Sequence, residues 1–253
     1  MRLRHLSVAD LEDTFERYVA TARALQRQHR SASFDLLVGA ETEYINDESL
    51  VRAHQLRERH SLDYLVGSVH HVREIPIDFD QAQFNRCLVA CGGSLIDLYA
   101  DYFDAQYRML TALRPEVVGH FDLCRLFTPR SDPLCRTLPP SVWERVLRNI
   151  DVVVAYGGLF EINSRAYKKG LPDAYPQRDI LQAIKDRQGK FTISDDSHGP
   201  SEVGLLYPPL RQYLLEMGVD TVYWPRPRAP TGTIDSPLQH HAFPGVTTAA
   251  LWE

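Results

Sequence analysis

Apolar residues recur at every third or fourth position in several stretches of the chain, which is the pattern of amphipathic helices. The first stretch follows Ser7, and Asp10 lies three residues further on, so this pair predicts a capped helix start. Gly92 and Gly93 divide a long apolar stretch into two helices. The periodicity predicts helices over residues 7–29, 47–60, 176–189 and 208–218, two within residues 80–113, and one that begins near Val142.

Short, continuous apolar runs alternate with these helices, which is typical of buried strands. Strands that alternate with helices predict βα units and a parallel sheet, arranged either as a barrel or as an open sheet. The valine-rich run at residues 150–158 fits either a helix or a strand. No glycine-rich nucleotide-binding loop follows any of the runs. The predicted strands cover residues 34–44, 62–72, 116–123, 159–163, 190–195 and 219–224.

Length and charge restrict the class of protein. The 253 residues fit one large domain or two small ones, and single barrels often have about 250 residues. The formal net charge of −5 provides no basic surface for nucleic acid or for an anionic membrane. No apolar run approaches the roughly 20 residues that cross a bilayer, and we identify no signal peptide. The four cysteines form no CxxC pair, so we expect reduced thiols in a cytoplasmic protein.

Side chains that can bind metal stand where several predicted strands end. Taken singly, each has an ordinary interpretation as a turn residue or a satisfied polar group. Their repetition at the same structural position favours a shared site, because a barrel collects the carboxyl ends of its strands at one mouth. Carboxylate and neutral imidazole are ligands that Zn, Mn and Fe prefer. The candidate ligands are Glu41, His70, His120, Asp196 and His198.

A second set of polar residues lies next to these candidates in the sequence. Imidazoles that bind metal usually donate their other ring N–H to a carboxylate or a carbonyl. His71, Asp122 and Asp195 are close enough in sequence to supply such contacts. Ordinary loop polarity explains these three residues equally well.

Five stretches of the chain stand out as motifs: VGAETEYI, GSVHHVREIPIDFD, GHFDL, FEINSRAYKKG and ISDDSHGP. They resemble the polymerase-and-histidinol-phosphatase (PHP) family, and most closely its fungal-type histidinol-phosphatases. These stretches follow the family's order from about residue 34 onward. The resemblance implies a distorted (β/α)7 barrel of the TIM type, a single PHP domain over residues 1–253 and a site for three metal ions. It also implies hydrolysis of L-histidinol phosphate in histidine biosynthesis.

The resemblance carries roles over to individual residues. The family's bridging glutamate falls on Glu41, its strand-end histidines on His70 and His120, and its late Asp-x-His on residues 196 and 198. Metal ions would polarise a phosphate monoester and acidify a water ligand. Arg165, directly after FEIN, is the first candidate for holding the phosphate, because a guanidinium matches phosphate with two donors. Lys168 is the weaker candidate, and a solvated surface position explains it better.

The sequence departs from the family pattern at its start, where the family has a strand carrying His-x-His. We therefore expect an N-terminally incomplete barrel, whose two unpaired sheet edges would be sites of association and would permit oligomers. Three hypotheses follow. The first is a histidinol-phosphatase whose opening strands precede this sequence. The second is a short protein that keeps one metal and acts as a binding or interaction module without phosphatase activity. The third is another phosphoesterase of the same family.

Overall fold

The molecule combines a parallel sheet with helices, and the α/β class is confirmed. The computed structural model describes residues 7–30, 36–128, 139–226, 240–248 and 252. The strands are β1 Gly39–Glu43, β2 Tyr64–Ser68, β3 His71–Val72, β4 Ile75–Pro76, β5 Val117–Val118, β6 Leu159–Asn163, β7 Lys190–Ser194, β8 Thr221–Pro225 and β9 His240–Pro244. The helices are α1 Val8–His29, α2 Asp47–His60, α3 Gln81–Ala90, α4 Leu95–Leu113, α5 Pro140–Tyr156, α6 Arg165–Lys168, α7 Arg178–Asp186 and α8 Tyr207–Glu216.

Five strands form the central sheet in the order β1-β2-β5-β6-β7, and every neighbouring pair is parallel. Their carboxyl ends therefore lie along the same edge, as the alternation of strands and helices predicts. Two antiparallel ribbons, β3-β4 and β8-β9, stand outside this sheet. Within the described ranges, hydrogen bonds between strands do not close the sheet into a barrel.

The last predicted strand departs from the expected parallel series. β8 lies beside β7, but its hydrogen-bonded partner is β9, with Thr221 opposite Pro244 and Pro225 opposite His240. Strand β9 could not be foreseen, because its sequence has no apolar run. Cys135 and most residues of the two predicted loops, 127–141 and 225–237, lie outside the described residues.

The valine-rich run belongs to helix α5, so its interpretation as a strand is wrong. Pro140 occupies the first turn, where its missing N–H leaves no hydrogen bond unmade. Gly157 ends the helix in the left-handed conformation, with a φ of 80°, and its N–H bonds to the last-turn carbonyls. The change from helix to strand therefore falls at the two glycines before Leu159.

The core is centred on β6, all five of whose residues are buried. Aromatic rings cross the sheet in a continuous series with centroid separations of 6.0, 5.8 and 6.3 Å. Burial on both faces explains why the β6 sequence is apolar except for Glu161 and Asn163. The series runs from Phe103 through Phe121 and Phe160 to Phe191.

Helix α1 begins at the predicted cap, where the Ser7 hydroxyl accepts from the backbone N–H of Asp10 and the Asp10 carboxylate accepts from that of Ser7. Its apolar stripe is buried only at the centre. Val19 is 8% exposed, whereas Leu11 and Leu25 are 54% and 43% exposed. Polar contacts therefore contribute much of the attachment of α1 to the sheet.

Asp63 carries those contacts. Its carboxylate accepts from Arg23 at 2.8 Å, from Gln26 at 3.0 Å and from the buried backbone N–H of Val38 at 2.7 Å. One acid thus joins α1 to the segment that enters β1.

Replacing Asp63 by alanine is expected to lower the free energy of unfolding by about 1–3 kcal/mol, because the Val38 N–H would stay buried without a partner. Denaturant unfolding measures this change, and hydrogen exchange should become faster along α1. Asp13→Ala is the matched control, since Asp13 makes only an exposed ion pair with Arg17 and should change stability by less than about 0.5 kcal/mol. Equal effects of the two substitutions would contradict this role of Asp63.

No helix in the described part of the chain is long and apolar enough to cross a membrane. Cys87, Cys91 and Cys124 are buried.

Candidate metal centre

Three adjacent strands bring Glu41, His70 and His120 together. Glu41 lies on β1, His70 two residues after β2, and His120 two residues after β5. Glu41 Oε1 lies 3.1 Å from His120 Nε2 and 3.5 Å from His70 Nε2. One ligand atom from each residue lies within 4.8 Å of the other two. Two imidazoles and one carboxylate form a donor set that fits Zn, Mn or Fe.

The charges of these three residues depend on one another. Burial alone favours neutral groups, but the hydrogen bond and charge of Glu41 outweigh it and raise the pKa of His120 to about 9. Burial likewise opposes ionisation of Glu41, yet the hydrogen bond from His120 and the charges of His120 and His70 lower the pKa of Glu41 to about 2. Burial, followed by the charge of His120, lowers the pKa of His70. Without metal, the centre therefore holds ionised Glu41, protonated His120 and neutral His70 at neutral pH.

Metal uptake is expected to release about one proton per ion at pH 7, because His120 must lose its proton to act as a ligand. The folded-state pKa of His120 is raised, so the competing proton is present throughout the range below about pH 9. Apparent affinity for Mn²⁺ should therefore rise up to about tenfold per pH unit as the pH approaches 9. Calorimetry in buffers of different ionisation enthalpy measures the released proton. Uptake at pH 7 without proton release would contradict the assignment of His120.

The polar segment after β7 reaches the same pocket. Asp196 adopts a left-handed backbone conformation with a φ of 49°, which is uncommon for a residue other than glycine. Burial, with a smaller contribution from the charge of Glu41, raises the pKa of Asp196. His198 is exposed at the rim, and its Nδ1 lies 2.8 Å from the Asp196 carbonyl oxygen. Both residues line the pocket but stand outside the three-ligand cluster.

Arg165 extends from the start of α6 into the pocket, which has a volume of about 110 Å³. Its Nη1 donates to Glu202 Oε2 at 2.7 Å and to the Asp196 carbonyl oxygen at 2.9 Å. Lys168 pairs with the other oxygen of Glu202 and is 45% exposed. Of the two predicted phosphate-binding residues, only Arg165 lines the pocket, whereas Lys169 lines it in place of its neighbour.

The predicted supporting residues have other partners within the described residues. Asp122 is buried and accepts from Arg125 Nε at 2.6 Å and from the Gln177 N–H at 2.9 Å. Asp195 accepts from the backbone N–H groups of Ser197 at 3.1 Å and Gly204 at 2.5 Å, which orders the loop. Both acids hold backbone segments around the pocket, and neither is bonded to a ring nitrogen of the candidate ligands.

Glu43 is the carboxylate nearest to the second ring nitrogen of His70. Its Oε1 lies 3.8 Å from His70 Nδ1 and also contacts His71 Nδ1. The sequence contained a signal for this residue, because Glu41 and Glu43 alternate with Thr42 and so point to one face of β1. His71 thus reaches the centre through Glu43.

Glu161 is a further residue that the sequence analysis missed. It is 6% exposed, and its carboxylate accepts from the His120 backbone N–H at 2.6 Å and from Asn163 Nδ2 at 3.1 Å. Burial raises the pKa of Glu161. Because it binds the backbone of a candidate ligand, Glu161 fixes His120 at the end of β5.

Comparison with known proteins agrees with the fold and the site. The sequence matches the PHP domain family over residues 4–165. It is 44% identical over 218 residues to a Schizosaccharomyces pombe protein assigned as a histidinol-phosphatase, covering 86% of this chain and 71% of the relative. It is 31% identical over 236 residues to the histidinol-phosphatase of Saccharomyces cerevisiae, covering 83% of this chain and 70% of that enzyme.

Two crystal structures share the fold. A Listeria monocytogenes protein assigned as a histidinol phosphatase has a TM-score of 0.67 at 22% identity, over 81% of this chain and 77% of that one. Histidinol phosphate phosphatase from Lactococcus lactis, in complex with Zn, L-histidinol and phosphate, has a TM-score of 0.60 at 15% identity, over 83% and 76% of the two chains. The family match and the two fungal relatives show that the chain belongs to the PHP domain family.

Proposed function

We propose that the protein is a metal-dependent phosphatase that hydrolyses L-histidinol phosphate to L-histidinol and phosphate. The observation that carries this proposal is the convergence of Glu41, His70 and His120 with Arg165 around one pocket. The names of the fungal relatives support the substrate, and so do the ligands of the Lactococcus structure. The product L-histidinol places the reaction in histidine biosynthesis.

Glu41, His70 and His120 would hold a divalent metal ion, with Zn, Mn or Fe as the fitting elements. Such an ion polarises phosphoryl oxygens and acidifies a water ligand toward neutral pH. Glu43 Oε1 lies 3.8 Å from His70 Nδ1, and the Glu161 carboxylate accepts from the backbone N–H of His120. The second contact fixes the chain at His120 before any ion binds.

Asp196 and His198 follow β7, the strand at the other end of the sheet from β1, and would extend the centre to a further ion. The left-handed backbone of Asp196 turns its carboxylate toward the pocket, within electrostatic reach of His120 and Glu41. Arg165 would hold the phosphate, since its guanidinium offers donors in a fork that matches phosphate oxygens. Lys168 contributes to this group through Glu202, the carboxylate that it shares with Arg165.

Net charge, cysteines and core support the substrate class, the location and the domain organisation of the protein. The net charge of −5 supports a small-molecule substrate over nucleic acid or an anionic membrane surface. The buried, free thiols of Cys87 and Cys91 support a cytoplasmic location. One continuous hydrophobic core supports a single domain over residues 1–253, and the outer strand β1 provides an edge at which oligomers could form.

Phosphate release from L-histidinol phosphate tests the proposal. Purified protein supplied with Mn²⁺ or Zn²⁺ is expected to release phosphate from this substrate, and a chelator should abolish the release. Glucose 6-phosphate and glycerol phosphate should be cleaved at least about tenfold more slowly. Comparable rates on all three substrates would favour a broader phosphoesterase, and absence of release from a metal-bound, folded protein would favour a binding module.

A further inference from the structure

The pocket holds two polar groups that the metal centre does not use, Asp78 and Tyr175. Asp78 forms no hydrogen bond or ion pair with any residue that the structure describes. Tyr175 is 3% exposed, and its phenolic oxygen is buried without a hydrogen-bond partner in the same part of the chain. Buried polar groups are normally hydrogen-bonded, so a pocket-lining phenol without a partner indicates a missing ligand.

The two groups line one pocket with the three candidate metal ligands. That pocket also holds Glu41, His70 and His120. Asp78 therefore stands next to the metal centre, although it belongs to the segment after β4 and Tyr175 to the segment after α6. Asp78 thus gives the pocket an acidic group that forms no ion pair within the described residues.

Other residues that line the pocket are basic or apolar. Arg165 and Lys169 supply positive charge for a phosphate group, while Leu123 and Leu126 supply apolar surface. A ligand that matches this lining carries an anion, an apolar portion and a cation. Asp78 is the remaining acid for that cation. Glu41 Oε1 lies 3.1 Å from His120 Nε2, and the Asp196 carboxylate lies 3.9 Å from Arg165 Nε and 3.5 Å from His198 Nδ1.

We propose that Asp78 and Tyr175 form a cation subsite that selects phosphate monoesters bearing a protonated amine or imidazole. The inference rests on the proposed function and assigns a substrate-specificity role within the same pocket. The carboxylate would accept a charge-assisted hydrogen bond from the cation, and the phenolic oxygen would accept a second N–H. A substrate without the cation would make neither contact, so the subsite favours cationic esters over neutral ones.

Charge removal at Asp78 tests this subsite. Asp78→Asn is expected to lower kcat/KM for L-histidinol phosphate about 10- to 100-fold, mainly through KM, because the lost contact involves a charged group. The same variant should change kcat/KM for p-nitrophenyl phosphate, which has no cation, by less than about threefold. Tyr175→Phe should show a smaller loss with the same substrate selectivity. Glu74→Gln is the control, since Glu74 is an exposed acid in the turn between β3 and β4.

Two outcomes would overturn the proposal. Equal losses on both substrates would show that Asp78 supports the metal centre, and unchanged kinetics would show that it binds no substrate group. Calorimetric measurement of L-histidinol binding in the presence of Mn²⁺ tests the subsite independently of phosphatase activity. If wild-type protein cleaves no phosphate ester, weaker L-histidinol binding by Asp78→Asn than by wild type would still support the subsite. Binding that is absent or independent of Asp78 would refute it.

Discussion

Replacing His120 by alanine is expected to remove the metal from the purified protein and to lower kcat by about a thousandfold. The imidazole of His120 supplies one of three clustered donors, and its Nε2 lies 3.1 Å from Glu41 Oε1. Losing this ring leaves two protein donors, and it also frees Glu41 from the hydrogen bond that orients it. Because metal catalysis contributes several kcal/mol to such a reaction, its loss corresponds to about this factor. His70→Ala should act in the same direction.

Metal content measured by mass spectrometry, together with circular dichroism, checks the prediction. His29→Ala is the matched control, because His29 is exposed at the end of α1 and far along the chain from the strand ends. Most of the fold should persist in the His120 variant, since the sheet and the aromatic series do not depend on the ring. Full metal content in a folded His120→Ala or His70→Ala protein would show that the ion binds elsewhere.

Replacing Arg165 by alanine is expected to reduce kcat/KM for L-histidinol phosphate by about 100- to 1,000-fold while metal content stays unchanged. Arg165 is the guanidinium of the pocket, and Glu202 and the Asp196 carbonyl hold its Nη1 in place. Arg165→Lys should recover little activity, because a single ammonium does not reproduce the planar fork. Lys168→Met should lose less than Arg165→Ala, since Lys168 acts only through Glu202.

Steady-state kinetics and inhibition by inorganic phosphate measure this effect. Arg187→Ala is a suitable control, because Arg187 forms a surface ion pair with Asp151 at 2.8 Å and lies away from the pocket. The inhibition constant for phosphate should rise together with the loss of kcat/KM. An unchanged inhibition constant in Arg165→Ala would exclude direct contact between Arg165 and the phosphate.

Periodicity and caps were sufficient to predict much of the fold. The helices and the five parallel strands follow the apolar pattern, and Ser7 with Asp10 defines the start of α1. The position of residues at strand ends predicted that Glu41, His70 and His120 would meet, because parallel strands place their carboxyl ends at one edge. This part of the site depends on topology, which local sequence reveals.

Other parts of the site depend on side-chain packing, which local sequence does not reveal. Asp122 accepts from the backbone N–H of Gln177, 55 residues further along the chain, and Asp195 from that of Gly204, nine residues further, so these two contacts had no local signal. Lys168 and Lys169 are adjacent, and only the register of the short helix α6 decides which of them lines the pocket. Asp78 follows the β3-β4 ribbon in the sequence. No apolar pattern indicated that this ribbon would form, so the sequence did not place Asp78 at the pocket.

The most direct test of the metal centre is an anomalous difference map at the zinc absorption edge, from crystals grown with Zn²⁺ and phosphate. We predict a peak at about 2.0–2.3 Å from Glu41 Oε1, His70 Nε2 and His120 Nε2, with phosphate density beside Arg165. A zinc peak bound elsewhere, with none between these three side chains, would contradict the account.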